Sequence, residues 1–332
     1  MKNPISEENS RKIVNLSFLC AALVCAGHCV WPTQTAFGRV VAYMFRGLLC
    51  EVTIPFFFLV SGYFLARHFD EPGWWGRAVR KRIWTIAIPY CVWQFVNAFV
   101  WLAISGRWPL RPGGFGLNPF IPPQLVPLWY LRALMIFVVL GPLFAWVLKR
   151  WGRGFLAAAF AANLVVGAFV AQGKIPELSR VGGIVFYTFP VRGIFYFSLG
   201  AWLAMHPTPL SRRAGNLCGA LALGFTAIRL VILHFHWAVP FDFGVLVLPT
   251  LLAFLWMHAP AFRLPSVFAQ SIFPVYLMHV IVYAVLRQLL VFPSGTLGAF
   301  SELALGFGIS VAISALLHRF CPRVARLAFG GR

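Results

Sequence analysis

Acidic residues are scarce in this chain. Asp and Glu together number 8 among 332 residues, and charged residues of both signs make up 11%. A soluble domain of this size carries charges at roughly a quarter of its positions. So few charges cannot cover a water-facing surface, and no polar stretch is long enough for a soluble domain. We therefore predict a single membrane domain over residues 1–332, with short tails at 1–12 and 319–332.

Familiar signatures of soluble and secreted proteins are also missing. The sequence contains no Walker loop, no dinucleotide glycine motif in context, no G-x-S-x-G elbow and no H-E-x-x-H. The 7 cysteines are scattered, mostly inside apolar blocks, so a disulfide framework is not expected. The first apolar block lacks a small-residue cleavage site and continues to Pro32, which indicates a retained helix rather than a signal peptide.

Long apolar blocks dominate what is present. Apolar residues make up 60% of the chain, and many blocks approach the ~20 residues that a helix needs to cross the hydrocarbon. The pattern predicts an all-α bundle of about ten transmembrane helices. The predicted spans are residues 13–31, 48–65, 83–104, 126–148, 155–170, 183–205, 217–234, 241–257, 267–287 and 297–318.

The basic residues set the predicted orientation of this bundle. The net charge of +20 comes from short clusters between apolar blocks, a distribution typical of membrane topology rather than of nucleic-acid binding. Near the helix ends, 18 Lys and Arg lie on the side that holds the termini and five lie on the other. We therefore predict cytoplasmic termini, an outward-facing loop at residues 105–124 and a multi-pass protein of the inner (plasma) membrane.

Ten ionisable residues fall within or at the ends of the predicted spans. A charge in hydrocarbon costs a few kcal/mol (~2.5–3.5 on insertion scales), so each needs a partner or a task. They are His28, Arg46, Glu51, Arg132, Arg192, Arg229, Asp242, His279, Arg287 and Glu302.

His28 and Glu51 are the first candidates for chemistry. His28 lies about 15 residues into helix one, or roughly 22 Å along it, and Glu51 lies near the outer start of helix two. A carboxylate beside an imidazole fixes its tautomer and makes it a better base, although such a pair can also simply join two helices. Cys25, His28 and Cys29 have a spacing that a metal site could show. No fourth ligand is evident, so no metal is predicted.

Three further residues are candidates for binding substrate or an oxyanion. Arg132 is predicted where helix four enters the membrane, while Arg192 and His279 are predicted near mid-membrane in helices six and nine. Groups at such depths usually meet a carboxylate, a carbonyl or an anionic ligand. Arg46 and Arg287 lie close to helix ends, where snorkelling to the interface is the favoured reading.

Several motifs together carry a family resemblance. Cys-Ala-Gly-His at 25–28 and Ile-Pro-Phe-Phe-Phe-Leu-Val-Ser-Gly-Tyr-Phe-Leu at 54–65 resemble signatures of the acyltransferase 3 family of membrane acyltransferases. The remaining matches follow in the family's order: Lys-Arg-Ile at 81–83 with Ile-Pro-Tyr at 88–90, Leu-Trp-Tyr-Leu-Arg at 128–132, Phe-Tyr-Phe-Ser-Leu-Gly at 195–200, and Val-Tyr-Leu-Met-His at 275–279.

The resemblance implies transfer of an acyl group, usually acetyl from acetyl-CoA, to a hydroxyl of a sugar or cell-envelope glycan. It also implies ten helices with cytoplasmic termini, a catalytic role for His28, and a donor-side role for the cluster Arg80, Lys81 and Arg82. The family often has an arginine eleven residues before its histidine. Here that position is Ser17, with Arg11 and Lys12 as possible substitutes, which suggests a divergent branch nearer to fucose-acetylase-like members.

The sequence thus predicts an O-acetyltransferase-like enzyme that modifies carbohydrate, with His28 as general base and Glu51 as its orienting group. Arg132, Arg192 or His279 would bind substrate or the oxyanion, and Arg77, Arg80, Lys81 and Arg82 would attract the donor phosphates, although anionic lipids explain that charge equally well. The expected partners are acyl-CoA, a carbohydrate or glycolipid acceptor and membrane lipids, with no tightly bound cofactor. A transporter or flippase for a sugar, glycolipid or small anion is the alternative, and a structural scaffold would leave the intramembrane charges unexplained.

Overall fold

All regular structure in the described part of the chain is helical. The computed structural model describes residues 5–106, 128–175, 186, 190–235 and 242–331. Thirteen α-helices and two π-helical segments, Tyr43–Leu49 and Ile83–Ala87, lie in these ranges. The α-helices are α1 (Glu7–His28), α2 (Ala36–Ala42), α3 (Thr53–Ala66), α4 (Trp74–Arg82), α5 (Ile88–Ser105), α6 (Trp129–Val139), α7 (Gly141–Ala171), α8 (Val191–Met205), α9 (Arg212–His234), α10 (Gly244–His258), α11 (Ser266–Leu289), α12 (Thr296–Phe320) and α13 (Pro322–Phe329).

Seven helical stretches in these ranges are long and apolar enough to cross a membrane. Three shorter apolar helices, α6, α8 and α10, accompany them. This confirms the predicted all-helical, multi-span architecture, while the count of ten and the orientation of the termini remain predictions. The predicted outer loop at 105–124 lies almost wholly outside the described residues.

The ends of the first two predicted spans differ from the expected ones. α1 stops at His28 rather than continuing to residue 31, because Cys29 adopts an extended backbone and Pro32 follows. Helix two begins twelve residues early: α2, the first π-helical segment and α3 form one apolar stretch from Ala36 to Ala66. The segment read as a loop is therefore mostly helix, and it carries Arg46.

Helices four and five divide where the sequence pattern indicated, but helix four contains an additional break at Leu140. α6 contains only 11 residues, or about 16 Å of helix, and ends at Leu140 before α7 begins. Within α7 the regular geometry breaks at Gly152, whose φ of 41° suits glycine, and a Cβ there would lie 2.5 Å from the ring of Trp202. The break therefore lies inside the basic segment that the sequence analysis treated as a loop.

Close helix approach in the core depends on small residues. α3 and α8 pack so tightly that a Cβ on Gly62 would lie 2.0 Å from the carbonyl oxygen of Phe197, and one on Gly200 would lie 1.9 Å from that of Leu59. Glycine at helix interfaces lets backbones approach closely where lipid gives no hydrophobic driving force. This packing brings the starts of α3 and α8 together, which places Glu51 beside Arg192.

The bundle has two chemically different ends. α1 begins, and α3, α8 and α12 end, at what we call the basic end, which carries Lys12, Arg67, the Arg80–Arg82 cluster and Arg319. α1 and α11 end, and α8 and α12 begin, at the opposite end, which we call the histidine end after His28. The described ionisable residues thus fall into two groups separated by the length of the helices.

Candidate active site

His28 is the last residue of α1 and lies next to a second histidine. The ring centres of His28 and His279 are 5.1 Å apart, with their planes inclined by 47°. A Cβ on Gly27 would lie 2.3 Å from Sγ of Cys50, so glycine at position 27 lets the end of α1 approach the first π-helical segment. Two helices that are distant in sequence, α1 and α11, therefore bring the two imidazoles together.

Glu51 lies at the same end of the bundle but does not pair with His28. Its carboxylate receives a hydrogen bond from Arg192, whose other terminal nitrogen lies 2.5 Å from Oδ2 of Asp242. Arg229 reaches Oδ1 of Asp242 at 4.0 Å and stacks over the ring of Tyr43. Among the described residues, His28 forms no hydrogen bond or ion pair with Glu51. Counting residues along the helices therefore placed His28 and Glu51 at the correct end of the bundle. It did not show that Glu51 faces α8 rather than α1.

Arg287 and Glu302 form a second ion pair at the histidine end. Nε of Arg287 lies 2.5 Å from Oε1 of Glu302, which is buried, and Nη2 donates to the carbonyl oxygen of His28 at 3.0 Å. The other oxygen of Glu302 accepts from the backbone N–H of Val30 at 2.9 Å. This network satisfies backbone groups that the end of α1 leaves open. The sequence pattern favoured snorkelling of Arg287 to the interface, but the structure pairs it with Glu302. Comparing the depths of these two residues on their helices would have indicated the pair.

Arg46 lies in the first π-helical segment, and the end of α1 that carries His28 packs closely against Cys50 at the end of that segment. The side chain of Arg46 is exposed, and it makes no ion pair with any described residue. π-Helical segments are rare and often occur at functional sites. Arg46, which the sequence pattern assigned to the membrane interface, is therefore a further candidate for a role at this end of the bundle.

Arg132 and Arg192 occupy other depths than expected. Tyr130, two residues before Arg132, contacts Ser61 in the second half of α3, with their hydroxyl oxygens 3.2 Å apart. α6 therefore starts inside the bundle, and Arg132 is buried in its basic half near Tyr90. Arg192 is the second residue of α8, at the histidine end rather than near mid-membrane. The two candidate oxyanion arginines thus lie in different halves of the molecule.

A cavity of about 480 Å³ enters the basic half of the bundle; we call it the inner cavity. Most of its wall is apolar, and its polar groups are those of Ser17, Ser61, Arg82, Tyr130, Gln270 and Tyr276. Tyr276 precedes His279 by three residues on α11, a rise of about 4.5 Å. The cavity therefore extends from the basic end to within one helical turn of the paired histidines.

The inner cavity also bears on the missing family arginine. Ser17 lines it, and its hydroxyl donates to the carbonyl oxygen of Ile13 within α1. The two candidate substitutes are engaged elsewhere, since Arg11 pairs with Glu7 and Lys12 pairs with Glu8. Arg82 is half-buried in the wall of the same cavity and forms no ion pair with the described residues. The cation of this cavity is thus supplied by the end of α4 rather than by α1.

A second cavity, of about 610 Å³, lies at the surface of the basic end; we call it the rim cavity. Its wall contains Arg77, Arg80, Lys81, Trp84 and Thr85 together with two glycines. The four predicted donor-binding residues are therefore divided: three line the rim cavity and Arg82 lines the inner cavity. This division follows from the short α4, which turns successive basic side chains to different sides.

Arg77 differs from its neighbours because it is already paired. Its guanidinium lies 2.7 Å from Oε2 of Glu71 and also donates to the carbonyl oxygen of Pro72 at 2.6 Å. The hydrogen bond from His68, and then the charge and hydrogen bond of Arg77, hold the pKa of the Glu71 carboxyl below its ordinary value. Glu71 therefore stays ionised at neutral pH and offsets one positive charge at the rim cavity.

Within the ranges that the structure describes, no group of three His, Cys, Asp or Glu side chains is arranged to hold a metal ion. The side chains of Cys25 and Cys29 instead lie against Tyr283, which donates to the carbonyl oxygen of Cys25 at 3.1 Å.

Comparison with known proteins adds a family assignment. Searches of curated proteins and of solved structures gave no match. A family model described as an acyltransferase domain matches residues 15–319, nearly the whole chain, and covers both histidines, the rim cavity and most of the inner cavity wall. With its apolar helices, the chain therefore belongs to the acyltransferase 3 family and is a membrane acyltransferase.

Proposed function

We propose that the protein is a multi-pass inner-membrane enzyme that transfers an acyl group, acetyl from acetyl-CoA, to a hydroxyl of a sugar or cell-envelope glycan. The observation that carries this proposal is the inner cavity, whose wall runs from Ile13 and Arg82 in the basic half to Tyr276, one turn below His279 on α11. A donor from one side and an acceptor from the other would then meet at the two imidazoles.

The orientation follows the basic residues. Clusters of Lys and Arg favour the cytoplasm, so the basic end would be cytoplasmic and would carry both termini. Ten spans result when α6 and the first part of α7, up to the break at Gly152, form one crossing and the rest of α7 forms another. The short helices α8 and α10 would complete the count. Cysteine labelling from outside should mark positions in 105–124 and leave positions in 67–82 unlabelled; the reverse result would reject this orientation.

The two cavities suggest how an acyl-CoA would bind. The exposed Arg80 and Lys81 of the rim cavity would hold the phosphates, since clustered cations attract polyanions. The narrow pantetheine arm would enter the largely apolar inner cavity past Arg82, which would direct the thioester toward Tyr276 and the histidines. A volume of about 480 Å³ is in the range of ligand-binding cavities.

His28 would act as the general base. A neutral imidazole at the end of α1 would take the proton of the acceptor hydroxyl as its oxygen attacks the thioester carbonyl, and the C–S bond would then break to release the coenzyme A thiolate. The thiolate and the imidazolium would together return to the thiol and the neutral imidazole. The products are the acylated acceptor and free coenzyme A, and no further reactant is needed.

The structure changes which cation best fits the oxyanion. Arg192 is engaged by Glu51 and Asp242, and Arg132 lies in the basic half. Arg46 belongs to the π-helical segment that packs against the end of α1 and has no counter-ion among the described residues, so we favour it for stabilising the negative oxygen of the tetrahedral intermediate. Arg46→Gln would then lower kcat with little change in donor KM. Arg39→Gln is the matched control, because Arg39 is exposed on the same helical stretch but bonds to the loop carbonyls of Thr33 and Gln34.

The deciding experiment measures transfer of labelled acetyl from acetyl-CoA to envelope carbohydrate by the purified protein in lipid nanodiscs. Binding of coenzyme A is measured in parallel by calorimetry. We expect binding, and label in the glycan fraction that alkali releases as acetate, as an ester requires. A transporter or flippase has no reason to bind coenzyme A, so uptake of a sugar or anion with no such binding would favour that alternative.

A further inference from the structure

We propose that His279, rather than Glu51, is the positioning residue that sets the tautomer of His28. This inference rests on the proposed role of His28 as a base and extends it to a second side chain. The described acids at the histidine end are committed elsewhere: Glu51 and Asp242 bind Arg192, and Glu302 binds Arg287 and the backbone N–H of Val30. In the described part of the chain, the imidazole of His279 lies next to the His28 ring and keeps one ring nitrogen without a hydrogen-bond partner.

The protonation pattern of His279 is fixed by its own helix. Its Nδ1 lies 3.1 Å from the carbonyl oxygen of Val275, one turn earlier on α11. A carbonyl only accepts hydrogen bonds, so Nδ1 must carry the hydrogen and a neutral ring then has a lone pair on Nε2. His279 is fully buried, and its Nε2 hydrogen-bonds to none of the described residues. Nε2 of His279 is therefore a buried hydrogen-bond acceptor that has no partner among the described residues.

That acceptor lies within reach of His28. The ring centres are 5.1 Å apart, so a modest side-chain rotation brings facing ring nitrogens to hydrogen-bonding distance. Catalytic hydrogen bonds are often long before substrate binds and tighten in the productive complex. One ring N–H of His28 would donate to Nε2 of His279, and the other ring nitrogen would be left bare to accept the proton of the acceptor hydroxyl.

The rest of the surroundings keep this pair in place. The rings of Tyr276 and Tyr283 flank His279, with ring centres 6.3 Å and 6.2 Å away. On the other side, Arg287 binds the carbonyl oxygen of His28 and thereby fixes the end of α1. A neutral imidazole in the orienting position differs from a carboxylate, because it directs the base without adding a negative charge beside the thioester carbonyl that the acceptor oxygen attacks. Tyr276 also forms part of the inner cavity wall, so the pair lies where donor and base would meet.

Two substitutions separate the two nitrogen atoms of His279. His279→Gln places a carbonyl oxygen near the position of Nε2 and should keep the acceptor. His279→Asn offers its amide near the position of Nδ1 and should lose it. We expect the Gln variant to keep turnover within about tenfold of the wild type, and the Asn variant to lose on the order of 10²-fold, within the 10²–10⁴-fold that general-base catalysis contributes. Donor KM should be unchanged in both, and size-exclusion profiles identify any variant that fails to fold.

A spectroscopic measurement tests the same inference without relying on activity. In protein labelled with ¹⁵N-histidine in lipid nanodiscs, the His28 resonances, assigned by their loss in His28→Ala, report which ring nitrogen carries hydrogen. We expect one tautomer in the wild type and in His279→Gln, and a mixture in His279→Asn. A single unchanged tautomer in all three, or equal turnover in the Gln and Asn variants, would overturn the role of His279 while leaving an acetyl-transferring enzyme intact. Absence of acetyl transfer by the wild type would instead reject the proposed function.

Discussion

The ion pairs at the two ends of the bundle are built differently. At the basic end they mostly join neighbours in sequence, such as Arg11 with Glu7, and their side chains are largely exposed. At the histidine end they join distant helices: Arg192 binds Glu51 and Asp242, which lie 141 and 50 residues away. Exposed local pairs contribute about 0–1 kcal/mol, whereas partly buried pairs between helices are costly to break.

This difference assigns different tasks to the same residue types. At the basic end, Arg80 and Lys81 keep no acidic partner among the described residues and can attract a polyanion or a lipid surface. Charges at the histidine end hold helices around His28, and most of them neutralise one another. Substitutions at the basic end should therefore change donor affinity and its salt dependence, and those at the histidine end should change turnover or stability.

The largest expected effect is at His28. His28→Ala should lose at least about 10²-fold in turnover while coenzyme A still binds, because the base is removed and the donor cavities remain. Labelled acetyl transfer and calorimetric binding, measured on the same preparation, check this. His206→Ala, a change at the basic end, is the control and should leave turnover unaltered. Full activity of His28→Ala would remove the base from the proposed mechanism.

Glu51 gives the next largest effect and directly tests the comparison of the two ends. Glu51→Gln should lose less than His28→Ala, on the order of tenfold or below, since Arg192 keeps Asp242 at 2.5 Å. Because Glu51 contacts Arg192 and not His28, the losses in the double variant should be additive as free energies. If Glu51 instead oriented His28, as the sequence pattern suggests, the double variant would be scarcely worse than His28→Ala. A double-mutant cycle on kcat distinguishes the two.

At the basic end, the two cavities should respond differently to salt. Replacing Arg80 and Lys81 together by Gln should raise donor KM several-fold at low salt, and the difference should shrink as ionic strength screens the exposed charges. Arg82→Gln should raise KM by a similar factor that persists in salt, because Arg82 is half-buried in the inner cavity wall. Donor KM measured from 50 to about 500 mM salt decides; identical salt dependence would contradict the assignment of these residues to separate cavities.

The smallest expected effect is at Glu71. Glu71→Gln removes the carboxylate that pairs with Arg77 and should lower donor KM by up to about twofold at low salt. The pKa of Glu71 is lowered, so its pairing with Arg77 is present at neutral pH and is lost as pH falls through that pKa. Wild type and variant should therefore converge in donor KM under acidic conditions. An unchanged KM at neutral pH would show that Arg77 does not contact the donor.

Much of the architecture was predictable from the sequence because lipid imposes simple rules. A helix must be apolar over about 20 residues, and basic clusters must lie between such helices, so composition alone indicated an all-helical membrane protein. The exceptions have local causes. Pro32 ends α1 early, a π-helical segment replaces the loop before Glu51, and a break at Leu140 separates α6 from α7. Hydropathy averages over windows too long to detect these features.

The candidate site was predictable in its depth but not in its contacts. Counting residues along α1 and the next helix placed His28 and Glu51 at one end of the bundle, because rise per residue is fixed. It could not give the rotation of each helix, which decides whether Glu51 faces α1 or α8. Arg132 was misplaced for a related reason, since α6 starts inside the bundle and not at its surface.

The sequence by itself therefore determined the class of the molecule, its membrane helices, its family motifs and the candidate base, since these depend on composition, spacing and order along the chain. The tertiary structure alone decided the partners. Gly62 and Gly200 let α3 and α8 approach closely, and this packing places Glu51 beside Arg192. The packing of α1 with α11 places the ring of His28 beside that of His279. Side-chain pairing between helices depends on their rotation and crossing, and these are set by the fit of distant surfaces rather than by any local pattern.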